Sequence, residues 1–375
     1  MKYSKVFIDS IGYELAPHII TTEEIEDKLQ PFYDAVGFKK GQLLALTGIK
    51  ERRYWDIDHT LANGAAKAGQ KAIDAAGVNP DQIDCVVFCG VGRDGFEPAT
   101  ACAVADALNV SPNAHIYDVS NACLGVVTGM VNVANAIELG QIKAGLVVSC
   151  ETARQIVEST IDEINQAKSV DFYKQTIATM TGGSGAVGVL MTNGTLGNHG
   201  TGKKQTAKSG NNGIASNQGI RRHALIGGVV RQASKFNNLC RWTFNEPGMP
   251  TTAKIQMRTD AHAVLANGLT LAKATYDDFK QQVQFLDNRQ SLKQQPDKFI
   301  CHQVGSTHQQ MVQQALNINP ATDFSTYQYL GNMGTVSLPL SAAIADECGF
   351  LQPDDYVGFM GIGSGLNCLI LGVRW

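Results

Sequence analysis

Three residues of this 375-residue chain have the types and settings from which acyl chemistry could be built: Cys123 in SNACLG, His302 in CHQ and Asn332 in GNMG. A thiol attacks as its thiolate, so a nucleophilic cysteine needs a setting that favours ionisation. Cys123 stands between a strand-like run, HIYDVSNA, and a small-residue helix, LGVVTGMVNVANAIELG, whose positive end would supply that setting. Taken alone, Cys123 also reads as a buried structural thiol. His302 alone reads as a hydrogen-bonded residue at a strand end, and Asn332 as a turn residue beside Gly331. What raises all three together is the repeat that positions them.

Two stretches of the same plan recur roughly 210 residues apart. The first runs from Leu61 (LANGAAKAGQKAIDAAG) through a strand DCVVFCG, a helix ending ALNV, the strand HIYDVSNAC, a helix and the strand AGLVVSC. The second runs from Leu265 (LANGLTLAKATYDDF) through DKFICHQ, a helix ending ALNI, the segment YQYLGNMG, a helix and the strand YVGFMGIGSG. Alternating strands and helices of this kind predict an α/β fold with mostly parallel sheets, covered on both faces, and ligands at the carboxyl ends of strands. Cys123 and Asn332 then hold equivalent places at strand-to-helix turns, His302 ends a strand of the second unit, and the three converge across a pseudo-twofold. The reading divides the chain into an N-terminal half, 1–196, a loop, 197–219, rich in Gly, Lys, Asn and Ser and without periodicity, and a C-terminal half, 220–375.

Composition narrows the function class. At about two and a half times a domain of roughly 150 residues, the chain is long enough for a duplicated core. With 31 Lys+Arg against 34 Asp+Glu in scattered order, nothing resembles a basic stripe, so nucleic acid is not the expected partner. No window is apolar enough for a membrane span, and the glycines of VGFMGIGSGLNCLILGV divide it into two short strands. The first twenty residues lack the features of a signal peptide, so a cytoplasmic protein is expected. Nine cysteines without a C-x-x-C pair read as reduced thiols, and no histidine has metal-ligand spacing, so no metal is expected.

The set NACLG, CHQ, GNMGTVSLP and GIGSG, with TGIKERR from Thr47, resembles the thiolase superfamily, and within it the ketoacyl synthase III branch, over nearly the whole chain outside 197–219. The resemblance implies a thiolase fold of five layers, αβαβα, with two pseudo-duplicated halves, a homodimer, and Claisen chemistry on acyl thioesters without a cofactor beyond the coenzyme A substrate. The family's catalytic cysteine, histidine and asparagine fall on Cys123, His302 and Asn332. Degradative thiolases carry a second cysteine just before the last glycine run, where this chain has Met360 and Gly361. Cys368 falls later, in an alternating strand, and reads as core.

Glu97 in VGRDGFEPATAC occupies a place where synthases that use malonyl carriers have an apolar residue reaching across the dimer. With EPATAC, SNACLG and the LGN form of the asparagine loop, the chain resembles the OleA family of long-chain olefin biosynthesis. That resemblance implies non-decarboxylative, head-to-head condensation of two fatty acyl-CoA molecules to a 2-alkyl-3-oxoacyl product, with downstream olefin-forming enzymes as expected partners. Glu97 would be the base, acting in the partner subunit's site, its pKa raised in an apolar channel. On the residues alone, Glu97 also reads as an acid favouring a helix N-terminus next to a first-turn proline.

By the same alignment the oxyanion is held by the backbone of Cys123 and Ser364, with Gly363 and Gly365 of the glycine loop against the substrate. Lys50, Arg52 and Arg53 would meet CoA phosphates at the tunnel mouth, or else form a solvated charged turn. Gln42 stands where the family has an adenine-stacking tryptophan. TGGSGAVGVL from Thr181 reads as a turn near the site. The alternatives are a ketoacyl synthase III that condenses acyl-CoA with malonyl-acyl carrier protein, and a non-catalytic thiolase-fold partner subunit.

Overall fold

A computed structural model describes residues 1–196, 222–244, 255–286, 292–293 and 295–375 of the chain. The loop expected at 197–219 lies outside the described residues. Ten strands form the main sheet: β1 (Phe7–Leu15), β2 (Cys85–Cys89), β3 (His115–Val119), β4 (Ala144–Glu151), β5 (Gly185–Thr192), β6 (His223–Gln232), β7 (Lys298–Cys301), β8 (Asp323–Phe324), β9 (Tyr356–Gly363) and β10 (Asn367–Arg374). The helices of the repeat are α1 (Leu61–Ala76), α2 (Thr100–Leu108), α3 (Gly125–Glu138), α4 (Ala261–Gln282), α5 (Ser306–Leu316) and α6 (Ser337–Glu347).

The strand order is β8-β7-β9-β10-β6-β1-β5-β4-β2-β3. Read outward from the centre, each strand of one half matches the strand five numbers later in the other, so the duplication is written into the topology. The halves join where β1 and β6 pair over Phe7 with Ala224 and Ile8 with His223. In each half only the outer pairings are parallel: β2 pairs with β3 and β4, and β7 with β8 and β9. The inner pairings are antiparallel. That departs from the mostly parallel sheet expected, and the cause is local: three residues connect β9 to β10, enough for a hairpin and far too few for a crossover helix.

Alternation along the strands feeds separate cores. In β2, Val86 and Phe88 pack with α1 and α2, while Val87 and Cys89 face the other way onto α3. The central core joins Val126, Met130 and Val133 of α3 and Leu338 and Leu340 of α6 to Val87, Val147 and Val189 of one half and Ile300, Phe359 and Leu371 of the other. On the far side Leu271, Phe279, Val312 and Leu316 of α4 and α5 cover Phe299 and Ile370. Helix, strand, helix, strand, helix is the resulting layer order, as the resemblance implied. Each such apolar side chain contributes about 1.5–3 kcal/mol through burial, so the two central helices are held from both faces. Among the described residues, no helix is long and apolar enough to cross a membrane.

Candidate active site

Cys123 sits in the turn between β3 and α3. Ala122 before it has φ +46°, a left-handed backbone that reverses the chain sharply. Helix α3 starts at Gly125, and its second residue, Val126, donates its N–H to Oγ1 of Thr335 at 2.6 Å. His302 follows β7, fixed by its backbone N–H donating to the carbonyl of Met360 at 2.9 Å. Asn332 is gripped on both sides of its backbone, donating to Thr181 at 2.8 Å and accepting from Gly183 at 2.9 Å. A Cβ on Gly183 would collide with the carbonyl of Leu330, so only glycine lets the expected TGGSG turn approach this closely.

The three side chains line one cavity of about 380 Å³. Its wall continues along α4 through Val264, Leu265, Gly268, Leu269 and Ala272, and along α5 to Val312 and Leu316. Among the described residues lining it there is no Asp, Glu, Lys or Arg. A space so lined accepts an uncharged chain and disfavours ions. Thr181 and Cys368 are on the wall as well, so Cys368 is both core and cavity lining.

Asn332 Oδ1 accepts from the N–H of Gly334 at 3.0 Å. With the oxygen occupied, the amide NH₂ is the end left to donate. Burial, reinforced by the neighbouring His308, pushes the His302 imidazole down to about 3, so it is neutral at physiological pH. Burial also pushes the Cys123 thiol up to about 12, with Cys240 and Glu151 adding to the rise. That corrects the expectation of an easily ionised thiol. The helix-end effect is worth only about 0.3–1 kcal/mol, and desolvation in the apolar cavity outweighs it.

The glycine loop packs directly on the nucleophile turn: a Cβ on Gly363 would stand 3.4 Å from the nitrogen of Cys123. Asn367 donates to Oδ1 of Asn121 at 3.1 Å and ties the two loops together. Gly363 and Ser364 line the cavity, but Gly365 does not: its φ is +135°, and a Cβ there would stand 2.8 Å from Nδ2 of Asn367. Gly365 therefore serves the turn and not the substrate wall.

Glu97 is exposed and is absent from the cavity of its own chain. Its loop is nevertheless pinned. Asp94 accepts from the N–H groups of Leu61 and Ala62 at 2.7 and 2.9 Å, and Arg93 donates to the carbonyls of Gly90, Gly92 and Val119. Phe96 beside Glu97 is 82% exposed. The alternative of a helix-capping acid is not supported, because α2 starts at Thr100 and its first N–H groups go to Asp118, at 2.9 Å each.

Of the three expected phosphate contacts, Lys50 is exposed, with its ammonium 5.4 Å from the ring centre of Tyr329. Arg52 is fully buried, donating to Oγ1 of Thr22 and the carbonyl of Met180, so it braces the fold and cannot meet a phosphate. Arg53 is partly buried and donates to the carbonyl of Ala16 at 3.4 Å. The short strand Glu51–Tyr54 alternates sides, which turns Arg52 inward.

Sequence reasoning passed over Cys240 and His308, both on the cavity wall, and Glu151, which ends β4 beside the Asn332 turn. His308 lies six residues after His302, on the first turn of α5, which was a usable signal. Nothing local in the sequence marks Cys240 or Glu151.

Comparison with known proteins agrees with this architecture. The chain matches the model for 3-oxoacyl-[acyl-carrier-protein] synthase III over residues 117–207 and its C-terminal model over 286–375. It is 48% identical to an acyl-CoA:acyl-CoA alkyltransferase of Shewanella oneidensis and 31% identical to one of Xanthomonas campestris, in both cases over all of both chains. A crystal structure of a cysteine-to-serine variant of Xanthomonas campestris OleA with bound lauric acid and lauroyl-CoA superposes with a TM-score of 0.83 at 30% identity, covering all of both chains.

Proposed function

The chain belongs to the acyl-CoA:acyl-CoA alkyltransferase family, and on that premise we propose that it joins two fatty acyl-CoA thioesters head to head, without decarboxylation, to a 2-alkyl-3-oxoacyl product. The observation that carries the reading is the convergence of Cys123, His302 and Asn332 on one apolar cavity whose described lining holds no ionised side chain. Residues 1–196 supply the cysteine, and 220–375 supply the histidine and asparagine.

In the first stage the sulfur of Cys123 attacks the thioester carbon. The bond to CoA sulfur breaks, and CoA leaves with the proton the thiol gives up, so acyl-cysteine and free CoA result. Backbone N–H groups of Cys123 and Ser364 hold the oxyanion. In the second stage the thioester oxygen of another acyl-CoA accepts hydrogen bonds from neutral His302 and from the Asn332 NH₂. Glu97 of the partner subunit takes a proton from its α carbon, the carbanion attacks the acyl-cysteine, and the Cys123 thiolate leaves and is reprotonated. Every step balances without a redox or metal partner.

The described lining of the cavity holds no carboxylate, which favours a base from outside the chain, and the pinned, exposed loop of Glu97 supports its being given to a neighbour. The working unit is therefore a homodimer. Exposed Lys50, three residues beyond the cavity-lining Thr47, serves the CoA phosphates. We assign the enzyme to the cytoplasm, a reducing compartment that suits nine unpaired thiols. The product's alkyl branch and ketone are the groups a downstream olefin-forming enzyme would process.

The test is incubation with a long-chain acyl-CoA as sole substrate, following CoA release and product mass. A 2-alkyl-3-oxo acid, or the ketone from its decarboxylation, is expected, and Cys123→Ala releases no CoA. Turnover that requires malonyl-acyl carrier protein would instead make the protein a ketoacyl synthase.

A further inference from the structure

Glu151 is 4% exposed and does not line the acyl cavity. Its Oε1 accepts from the N–H of Val91 at 3.0 Å, and a Cβ on Gly92 would stand 3.9 Å from its Oε2. Those two residues open the loop that carries Glu97. On its other side the carboxylate supports the asparagine turn: a Cβ on Gly334 would stand 3.5 Å from Glu151 Cδ, and Gly334 is the residue that donates to Oδ1 of Asn332. One residue before Val91, the nitrogen of Gly90 would lie 3.3 Å from a Cβ on Gly125, the first residue of α3. A single buried side chain thus touches the root of the Glu97 loop and the Asn332 turn, and reaches the helix behind Cys123 through Gly90.

We propose that Glu151 is a positioning residue for the condensation stage: its ionised carboxylate grips the N–H of Val91 beside Gly92 and so fixes the place at which the loop presents Glu97. The proposal rests on the reading of Glu97 given above.

An ionised carboxylate offers acceptors on both oxygens, whereas the protonated form turns one of them into a donor that faces an N–H. The titratable and charged groups facing Glu151 are Arg93 from the loop, Cys123 from the nucleophile turn and Cys150 from its own strand, while the Asn332 turn brings none. Burial pushes the Glu151 carboxyl up to about 7, against the opposing pull of the N–H groups of Val91 and Gly92 and of Arg93. Both forms are therefore populated near neutral pH, and the grip on the loop tightens as pH rises.

Glu151→Gln tests this, since glutamine keeps the shape and puts an NH₂ where one acceptor was. Acylation is read as the single-turnover release of CoA and condensation as product formed per acylated site, from about pH 6 to 8.5. The variant should acylate at least as fast as wild type, because a negative charge near Cys123 is gone. Its condensation should fall by roughly tenfold to a hundredfold, as a displaced catalytic group does, and should lose the rise through neutral pH that wild type shows. Wild-type condensation and pH dependence in the variant would overturn the proposal. If the variant does not fold, Glu151→Asp takes its place: slower condensation with the neutral-pH rise retained is expected, and an unchanged rate overturns the proposal. Absence of any condensation product from wild type would instead overturn the function on which the proposal rests.

Discussion

Oγ1 of Thr335 accepts a hydrogen bond from the backbone nitrogen of Val126 at 2.6 Å, joining residues 209 positions apart. The turn that follows Asn332 and the helix that begins behind Cys123 are held to each other by this bond, across the boundary between the two halves. The approach of Cys123 and Asn332 is therefore built into the central layer of the fold.

Thr335→Val keeps the shape and removes the acceptor, leaving a buried N–H unpaired at a cost of about 1–3 kcal/mol. A lower thermal midpoint is expected, with condensation reduced more than CoA release because Asn332 shifts relative to Cys123. Calorimetry and single-turnover assays on the variant check this, and an unchanged midpoint would show that the bond carries no stability.

Stability should fall in acid because of the cavity histidines. The folded chain keeps His302 neutral down to about 3 and His308 to about 4, while unfolded histidines protonate below about 6.5. Between those values the unfolded chain binds more protons, so stability rises with pH. Glu151 works in the opposite direction: its pKa of about 7 exceeds the unfolded value, so the folded chain binds the extra proton, and stability is lost as pH rises from about 4.5 to 7. Denaturant titrations of wild type and Glu151→Gln separate the two. The variant should gain relative to wild type across that window by on the order of 3 kcal/mol, and a constant difference would contradict the raised pKa.

Chain length should answer to α4. Ala272 is 7% exposed and lines the acyl cavity one helical turn beyond Gly268. Ala272→Phe places a ring in the path of the chain, so selectivity should shift toward shorter acyl-CoA by at least about tenfold, since each methylene in such a pocket is worth about 1–3 kcal/mol. Competition between acyl-CoA lengths, read by product mass, measures it.

The fold and the three converging residues were legible because the chain repeats itself: the repeat puts Cys123 and Asn332 at equivalent turns and His302 at a strand end beside them. The antiparallel inner strands were not, since connection lengths decide them and the periodicity of a buried strand does not. Arg52 is not the phosphate contact expected from TGIKERR because its segment is a strand, which puts alternate side chains on opposite faces and turns Arg52 inward. The Cys123 thiol was misjudged because a helix end is visible in sequence and the surrounding apolar wall is not. Glu151 escaped notice for the same reason, as its partners Val91 and Gly334 are brought to it only by the tertiary fold.

Complementation between two inactive variants tests most directly whether one site is built from two subunits. Cys123→Ala retains Glu97 but cannot be acylated, and Glu97→Gln is acylated but cannot condense. In a mixed dimer, the site of the Glu97→Gln subunit has its own Cys123 and receives Glu97 of the partner subunit. Random re-association of equal amounts should therefore restore condensation to about a quarter of wild type, since half the dimers are mixed and each has one working site of two. If the mixture stays as inactive as its parts while mixed dimers are present, Glu97 does not serve the neighbouring site and the account is wrong.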